Sequence, residues 1–311
     1  MTRKVIFDTD PGIDDALALL LLAVSPEIEL LGITVTHGNT SQEKCLRNAL
    51  SLVELSGMTH IDVARGAEEP LIKELSVAEE THGDGGLGYA SLPKAKKVPS
   101  RVAAHDFIIQ QVEKYPGEIT ILAVGPMTNV ALALLKRPEI AKKINSIISM
   151  GGAIHYPGNA TPQAEYNVFC DPEAFEIVLR SGIDFTLVPL DVTYKCIFTK
   201  SHLEKIDRAR PEIKEFITES TRFYMEFHVK HQSIEGCAIN DPLAAALLID
   251  PNLVKYEDYF VRVDLTAPTS KAKTIADYYG ALNQKSNAHV AMQVDVEKFM
   301  DLFVERMNRF Q

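Results

Sequence analysis

Short apolar runs alternate with amphipathic stretches along the first two thirds of the chain. The continuous apolar runs predict buried β-strands at residues 4–8, 29–36, 61–64, 119–124, 146–150 and 185–189. The stretches between them predict helices at residues 14–23, 41–55, 103–113, 127–135 and 172–181. This alternation is typical of an α/β fold with a doubly wound, mostly parallel sheet core flanked by helices.

The last third of the chain has a different pattern. It predicts helical structure from 201 to 231, a helix at 243–249, strands at 259–264 and 289–294, and a final helix at 296–309. No linker-like stretch divides the sequence, and no internal repeat is visible. We therefore expect a single domain over residues 1–311.

Composition excludes several classes of protein. The formal net charge is −10, whereas a nucleic-acid-binding surface needs clustered Lys and Arg. The four cysteines are scattered without the paired spacing of a zinc or redox site. No signal peptide or long apolar span is present, so we expect a cytoplasmic protein with no nucleic-acid or membrane partner.

Four carboxylates cluster where the first strand meets the first helix, at Asp8, Asp10, Asp14 and Asp15. Such a cluster is strongly repulsive unless a cation lies within it, and hard cations prefer oxygen ligands. Helix capping is the alternative, but it accounts for only one or two of these acids. The pattern therefore predicts a metal site.

Informative residues recur at the ends of predicted parallel strands. Asp10 follows the first strand, Asn39 the second, and the segments 124–126 and 150–152 two later ones. Ligands bind outside the carboxyl ends of such strands. We expect these residues to line one crevice.

Two further segments carry candidate site residues. Asn159, Glu165 and Asn167 lie within nine residues and suit the hydroxyl groups of a sugar, although a polar loop is the simpler alternative. The segment 83–88 matches the spacing of a dinucleotide-binding loop but follows no strand, so we interpret it as a mobile loop carrying His82. His82 is either ligand-facing or a simple loop residue.

Together these motifs resemble the inosine–uridine preferring nucleoside hydrolase family over nearly the whole chain. The resemblance rests on residues 8–16, 38–39, 125–129, 150–152, 158–159, 164–167, 171–174 and 241–242, in that order. It implies a Ca2+-dependent N-ribohydrolase with a parallel-sheet core, acting on a small nucleoside as a homodimer or homotetramer.

The resemblance also implies roles for individual residues. The carboxylates of Asp10, Asp15 and Asp241 would bind Ca2+ together with the main-chain carbonyl of Val124, and Asp10 would be the general base for a water. Asn39 and His82 join Asp10 as catalytic candidates. The ribose would be held by Asp14, Asn39, Met150, Asn159, Glu165 and Asn167.

One position departs from the family pattern. Many relatives have a histidine immediately before the last metal-binding Asp, where it protonates the leaving base, but this chain has Asn240. An amide has no titratable proton near neutral pH. Asn240, His228 and His231 are expected on the base side of the substrate, and we favour His82 over His228 or His231 as the acid.

The expected function is hydrolysis of the N-glycosidic bond of purine or pyrimidine ribonucleosides to ribose and free base. Two alternatives remain. One is a catalytically weak nucleoside- or ribose-binding protein that has lost the acid. The other is a phosphatase of the haloacid dehalogenase type, with Asp8 as nucleophile and Mg2+ as the cation.

Overall fold

The structure is a computed structural model that describes residues 2–311. The strands are β1 (Arg3–Thr9), β2 (Ile28–Val35), β3 (Asp62–Arg65), β4 (Ile119–Ala123), β5 (Ser146–Met150), β6 (Phe185–Val188), β7 (Ile197–Phe198), β8 (Cys237–Ala238), β9 (Val254–Tyr259), β10 (Val261–Val263), β11 (Thr274–Ala276) and β12 (Ala288–Val294). The helices are α1 (Ile13–Ala23), α2 (Gln42–Ser56), α3 (Glu79–His82), α4 (Ala104–Lys114), α5 (Thr128–Lys136), α6 (Tyr166–Cys170), α7 (Pro172–Leu179), α8 (Leu190–Thr193), α9 (Lys200–Glu204), α10 (Pro211–Gln232), α11 (Asn240–Ala246) and α12 (Val296–Met307).

The main sheet has eight strands in the order β3-β2-β1-β4-β5-β6-β12-β9. All neighbours are parallel except β9, which is antiparallel to β12. The chain runs outward from β1 to β3 and then returns to place β4 on the other side of β1. Strand order therefore reverses between β1 and β4, where ligands bind in folds of this type. The predicted single α/β domain with a mostly parallel sheet is confirmed.

Two apolar layers cover the two faces of this sheet. Val5 and Phe7 of β1 belong to one buried cluster and Ile6 to the other, because successive side chains of a strand point to opposite faces. Helix α1 is buried from Ile13 to Leu22, as expected of a helix that is apolar on all sides. The turn between β1 and α1 is thus fixed by a rigid core at both ends.

Three predicted elements of the last third need correction. The helical region from 201 to 231 is two helices, since Pro211 lacks an N–H donor and begins α10 instead of continuing α9. The strand expected at 259–264 is divided between β9 in the main sheet and β10, which pairs with β11. The helix expected at 243–249 begins earlier, at Asn240.

Within residues 2–311, no helix is both long and apolar enough to cross a membrane.

Candidate active site

Asp15 is held by four hydrogen bonds in the first turn of α1. Its Oδ1 accepts from the Thr9 hydroxyl at 2.6 Å and the Asp10 amide at 3.2 Å. Its Oδ2 accepts from the Gly12 amide at 3.0 Å and from Nδ2 of Asn39 at 2.7 Å. Burial raises the pKa of Asp15 to about 6, although the hydrogen bonds oppose this shift. The donors therefore fix the orientation of a carboxylate that is costly to bury.

The carboxylate of Asp10 lies between two glycines that leave room for it. A Cβ atom at Gly38 would lie 2.0 Å from Oδ2, and one at Gly125 would lie 2.4 Å from Oδ1. Oδ2 accepts a hydrogen bond from the backbone amide of Asn39 at 2.7 Å, whereas Oδ1 is buried with no hydrogen-bond partner among residues 2–311. Burial raises the pKa of Asp10 well above its usual range. A buried acceptor without a donor is suited to a cation or an ordered water.

Three buried carboxylates lie close together beside the cavity. Single oxygens of Asp14, Asp15 and Asp241 lie within 4.8 Å of one another, so these residues could hold a metal ion. Burial, followed by the charges of the neighbouring carboxylates, raises the pKa of Asp241 well above its usual range. Oδ2 of Asp14 also accepts hydrogen bonds from Nδ2 of Asn240 at 2.9 Å and from the Tyr224 hydroxyl at 3.4 Å.

Asp8 does not belong to this group, although it lies in the same acidic motif. Its Oδ1 accepts hydrogen bonds from the Thr34 hydroxyl and from Nδ2 of Asn129, and burial raises its pKa to about 7. The side chain is fully buried within the sheet and does not line the cavity. The phosphatase alternative, which needs Asp8 as an accessible nucleophile, is therefore wrong.

Glu165 is a buried carboxylate that caps helix α6. It accepts hydrogen bonds from the backbone amides of Gly152, Asn167 and Val168 at 2.9, 2.9 and 3.1 Å. Burial raises its pKa despite these bonds. The local sequence explains the geometry, because an acceptor at the N-cap satisfies amides that lack partners in the helix.

Two asparagines complete this side of the cavity. Asn167 donates from Nδ2 to the carbonyl oxygens of Val124 at 2.8 Å and Met150 at 3.3 Å. Oδ1 of Asn159 accepts from the Tyr166 amide at 2.9 Å. The ends of β4 and β5 are thus tied to the first turn of α6.

Two histidines line the opposite side. His82 is the last residue of α3 and is buried, so the prediction that it lies on a mobile loop is wrong. His228 is buried on α10, and its ring lies 4.5 Å from that of Tyr224. His231 is exposed and does not line the cavity, contrary to its expected place beside the base. The cavity-facing side of α10 carries residues 224, 227, 228 and 232, and His231 instead stacks on the ring of Phe227.

All these groups surround one cavity at the carboxyl ends of the strands. Eleven of the predicted site residues line it: Asp14, Asn39, His82, Val124, Met150, Asn159, Glu165, Asn167, His228, Asn240 and Asp241. Asp10 and Asp15 are buried next to its wall and are hydrogen-bonded to Asn39.

Residues 5–301 match the family described as inosine-uridine preferring nucleoside hydrolase. The chain belongs to this family.

Relatives match this nucleoside hydrolase over most of its length. The pyrimidine-specific ribonucleoside hydrolase RihA of Citrobacter koseri is 37% identical over 308 residues, covering 99% of this chain and 98% of that protein. Uridine nucleosidase 1 of Arabidopsis thaliana is 39% identical, covering 84% of this chain and 78% of that protein. The structure of a purine-preferring ribonucleoside hydrolase from Gardnerella vaginalis is 35% identical with a TM-score of 0.94, covering 99% of each chain. The chain is a ribonucleoside hydrolase, an enzyme that acts on N-glycosyl bonds.

Some residues lining the cavity of this nucleoside hydrolase are absent from the sequence-based candidates. They include Ala78, Thr81, Tyr166, Tyr194 and Gln232. Gln232 could have been predicted from the sequence as a site residue, because it lies four residues after His228 and therefore on the same face of α10. Tyr194 lies just after the short helix α8, and no periodicity marks it.

Proposed function

We propose that this nucleoside hydrolase uses Ca2+ and that Asp10 is the general base that takes a proton from the attacking water. The observation that carries the proposal is Oδ1 of Asp10, a buried acceptor without a partner among the described residues. Asp10 lies in the turn that leads into α1, and the first turn of α1 carries Asp14 and Asp15, the carboxylates that lie near Asp241. Carboxylate and carbonyl oxygens are the ligands that Ca2+ prefers.

The residues that would hold the ion are Asp10, Asp15 and Asp241, through their carboxylates, and Val124, through its carbonyl oxygen. This donor set fits a hard cation, because every member offers oxygen and none offers sulfur or imidazole nitrogen. When bound, Ca2+ orients a water and lowers its pKa. Asn167 donates to only one of the two lone pairs of the Val124 carbonyl, which leaves the second available.

Residues of the protein would take up the proton, stabilise the transition state and hold the sugar. Asp10 receives the proton of the water, and burial raises the pKa of its carboxyl group above the usual range. Cleavage of a ribose C–N bond passes through an oxocarbenium-like state, which nearby carboxylates stabilise. The ribose hydroxyls would be held by Asp14, Asn39, Met150, Asn159, Glu165 and Asn167. Their rigid hydrogen bonds favour one orientation of the sugar.

The substrate class follows from the family, whereas the preferred base does not. The relatives include enzymes named for pyrimidine, uridine and purine nucleosides. We propose that purine and pyrimidine ribonucleosides are the substrates, with Tyr194, Tyr224 and Phe227 of the cavity wall beside the base. The homodimer or homotetramer and the cytoplasmic location stay predictions.

Ribose release tests the proposal. The purified protein is treated exhaustively with a chelator, resupplied with Ca2+ or Mg2+, and assayed with a panel of purine and pyrimidine nucleosides. We expect chelation to abolish ribose release and Ca2+ to restore it. Full activity after exhaustive chelation would overturn the metal assignment, and nucleoside binding without ribose release would support the binding-protein alternative.

A further inference from the structure

The two histidines of the cavity are held in opposite protonation patterns by the backbone. Nδ1 of His82 lies 3.1 Å from the backbone nitrogen of Ile13, which is a hydrogen-bond donor. Nδ1 of His82 must therefore accept and carries no proton. In the neutral ring the proton lies on Nε2, and a flipped ring would place a carbon against the same donor.

His228 has the reverse arrangement. Its Nδ1 lies 2.8 Å from the carbonyl oxygen of Tyr224, which can only accept. Nδ1 of His228 therefore carries a proton in both the neutral and the charged ring. His228 lines the cavity, and no group among residues 2–311 hydrogen-bonds to its Nε2. The ring can gain and lose a proton at Nε2 without losing its bond to the backbone.

Protonation has opposite consequences at the two positions. A proton on Nδ1 of His82 would oppose the Ile13 amide and place a charge at the positive end of α1. Burial also lowers the pKa of His82 to about 4. Burial also lowers the pKa of His228 overall, but there the Tyr224 carbonyl and the Asp14 carboxylate oppose the shift. The other titratable groups facing this ring are the Tyr224 and Tyr194 side chains, with His82 beyond Tyr224.

We propose that His228 protonates the leaving base through Nε2, and that His82 stays neutral and only donates a hydrogen bond. This rests on the proposed hydrolysis of nucleosides. As the C1′–N bond breaks, its electron pair passes to the base, which takes the proton from Nε2. The water oxygen bonds to C1′ and loses its proton to Asp10. Exchange with solvent then returns a proton to His228 and removes one from Asp10, so the net reaction is nucleoside plus water giving ribose plus base.

A matched pair of variants tests this assignment. Asparagine reproduces the Nδ1 position of imidazole but not Nε2, so His82→Asn and His228→Asn each keep their backbone bond and lose only the distal nitrogen. Both are assayed with a natural nucleoside and with p-nitrophenyl riboside, whose leaving group needs no proton. We expect His228→Asn to lower kcat for the nucleoside at least about 100-fold, but for p-nitrophenyl riboside less than about tenfold. His82→Asn should lower both to a similar extent.

The opposite results would overturn the assignment. Equal losses on both substrates in His228→Asn would make it a positioning residue, and a nucleoside-selective loss in His82→Asn would make His82 the acid. If His228→Asn does not fold, the pH dependence of the unmodified enzyme tests the proposal instead. Its kcat should fall with rising pH for the nucleoside but not for p-nitrophenyl riboside, and a shared alkaline limb would contradict the proposal. Failure of the proposed function is distinct, because the unmodified enzyme would then release no ribose from any nucleoside.

Discussion

Asn240 donates a 2.9 Å hydrogen bond from Nδ2 to Oδ2 of Asp14, joining the start of α11 to the start of α1. Because a carboxylate can only accept, this bond fixes the orientation of the amide. Oδ1 of Asn240 is then left buried without a partner among the described residues. Asn240 therefore orients Asp14, and its own unpaired atom is an acceptor, not a proton donor.

Asn240→Asp should destabilise the protein. The change replaces the donor by a second carboxylate beside Asp14, in a buried region that already holds Asp15 and Asp241. We expect a loss of about 1–3 kcal/mol in the free energy of unfolding, measured by urea denaturation in chelator. Asn252→Asp is the matched control, since Asn252 donates to Asp250 at 3.2 Å but is exposed. Equal effects of the two changes would show that burial of the Asn240–Asp14 pair does not matter.

Most strands of the sheet were predictable because they are short apolar runs, whereas β9 is mostly polar and exposed. All six strands from β1 to β6 start and end within two residues of their predicted bounds. The predicted crevice was also found, since parallel strands bring their carboxyl ends to one edge. The predicted strand bounds are wrong where the periodicity of the sequence carries no information. One such place is Phe260, where the chain leaves the main sheet between β9 and β10.

The side-chain contacts of the site were less predictable. The sequence places Asp8 and Asp10 two residues apart, yet one is bonded to Thr34 within the sheet and the other faces Asn39. Nor could it show that His82 accepts from the amide of Ile13, a contact between residues 69 positions apart. Such partners depend on how distant elements pack, not on local pattern.

Asp10→Asn should remove most of the turnover. The amide can still accept the hydrogen bond of the Asn39 backbone, so the fold is expected to persist, but it cannot take a proton from water. We expect kcat to fall about 100- to 10,000-fold, measured as ribose release at saturating Ca2+. Asp62→Asn, at an exposed position on β3, is the control for loss of one negative charge. Near-normal turnover of Asp10→Asn would show that the base is another group.

Asn167→Ala should impair the positioning of the sugar without removing the base. The change deletes the donor that bonds the Val124 carbonyl at 2.8 Å and the Met150 carbonyl at 3.3 Å. We expect kcat/KM to fall by about 100-fold, as for other small misplacements at an active site. Asn145→Ala is a suitable control, because Asn145 is exposed at the start of β5, away from the cavity. The proposed role would be wrong if the two variants had the same kcat/KM.

Away from the cavity, Arg306 on α12 forms an ion pair with Glu27, which lies just before β2. The guanidinium donates from Nη1 and Nη2 to the two carboxylate oxygens at 2.8 and 2.7 Å. This bond lowers the pKa of Glu27 from 4.5 to about 2. Because the folded-state pKa lies below the unfolded value, the contribution is complete above about pH 4.5 and is lost as the pH falls toward 2.

Glu27→Gln should therefore cost stability at neutral pH and progressively less in acid. Since the Glu27 side chain is 39% exposed, solvent screening limits the loss to about 1 kcal/mol at pH 7. Urea denaturation of the variant and the unmodified protein at pH 7 and pH 3.5 measures the difference. Glu74→Gln serves as the control, because Glu74 is exposed and forms no ion pair within residues 2–311. If the difference in unfolding free energy between the two proteins stayed constant or grew at pH 3.5, the charge on Glu27 would not be stabilising. The stabilisation by the carboxylate should shrink in acid, because the unfolded state becomes protonated there.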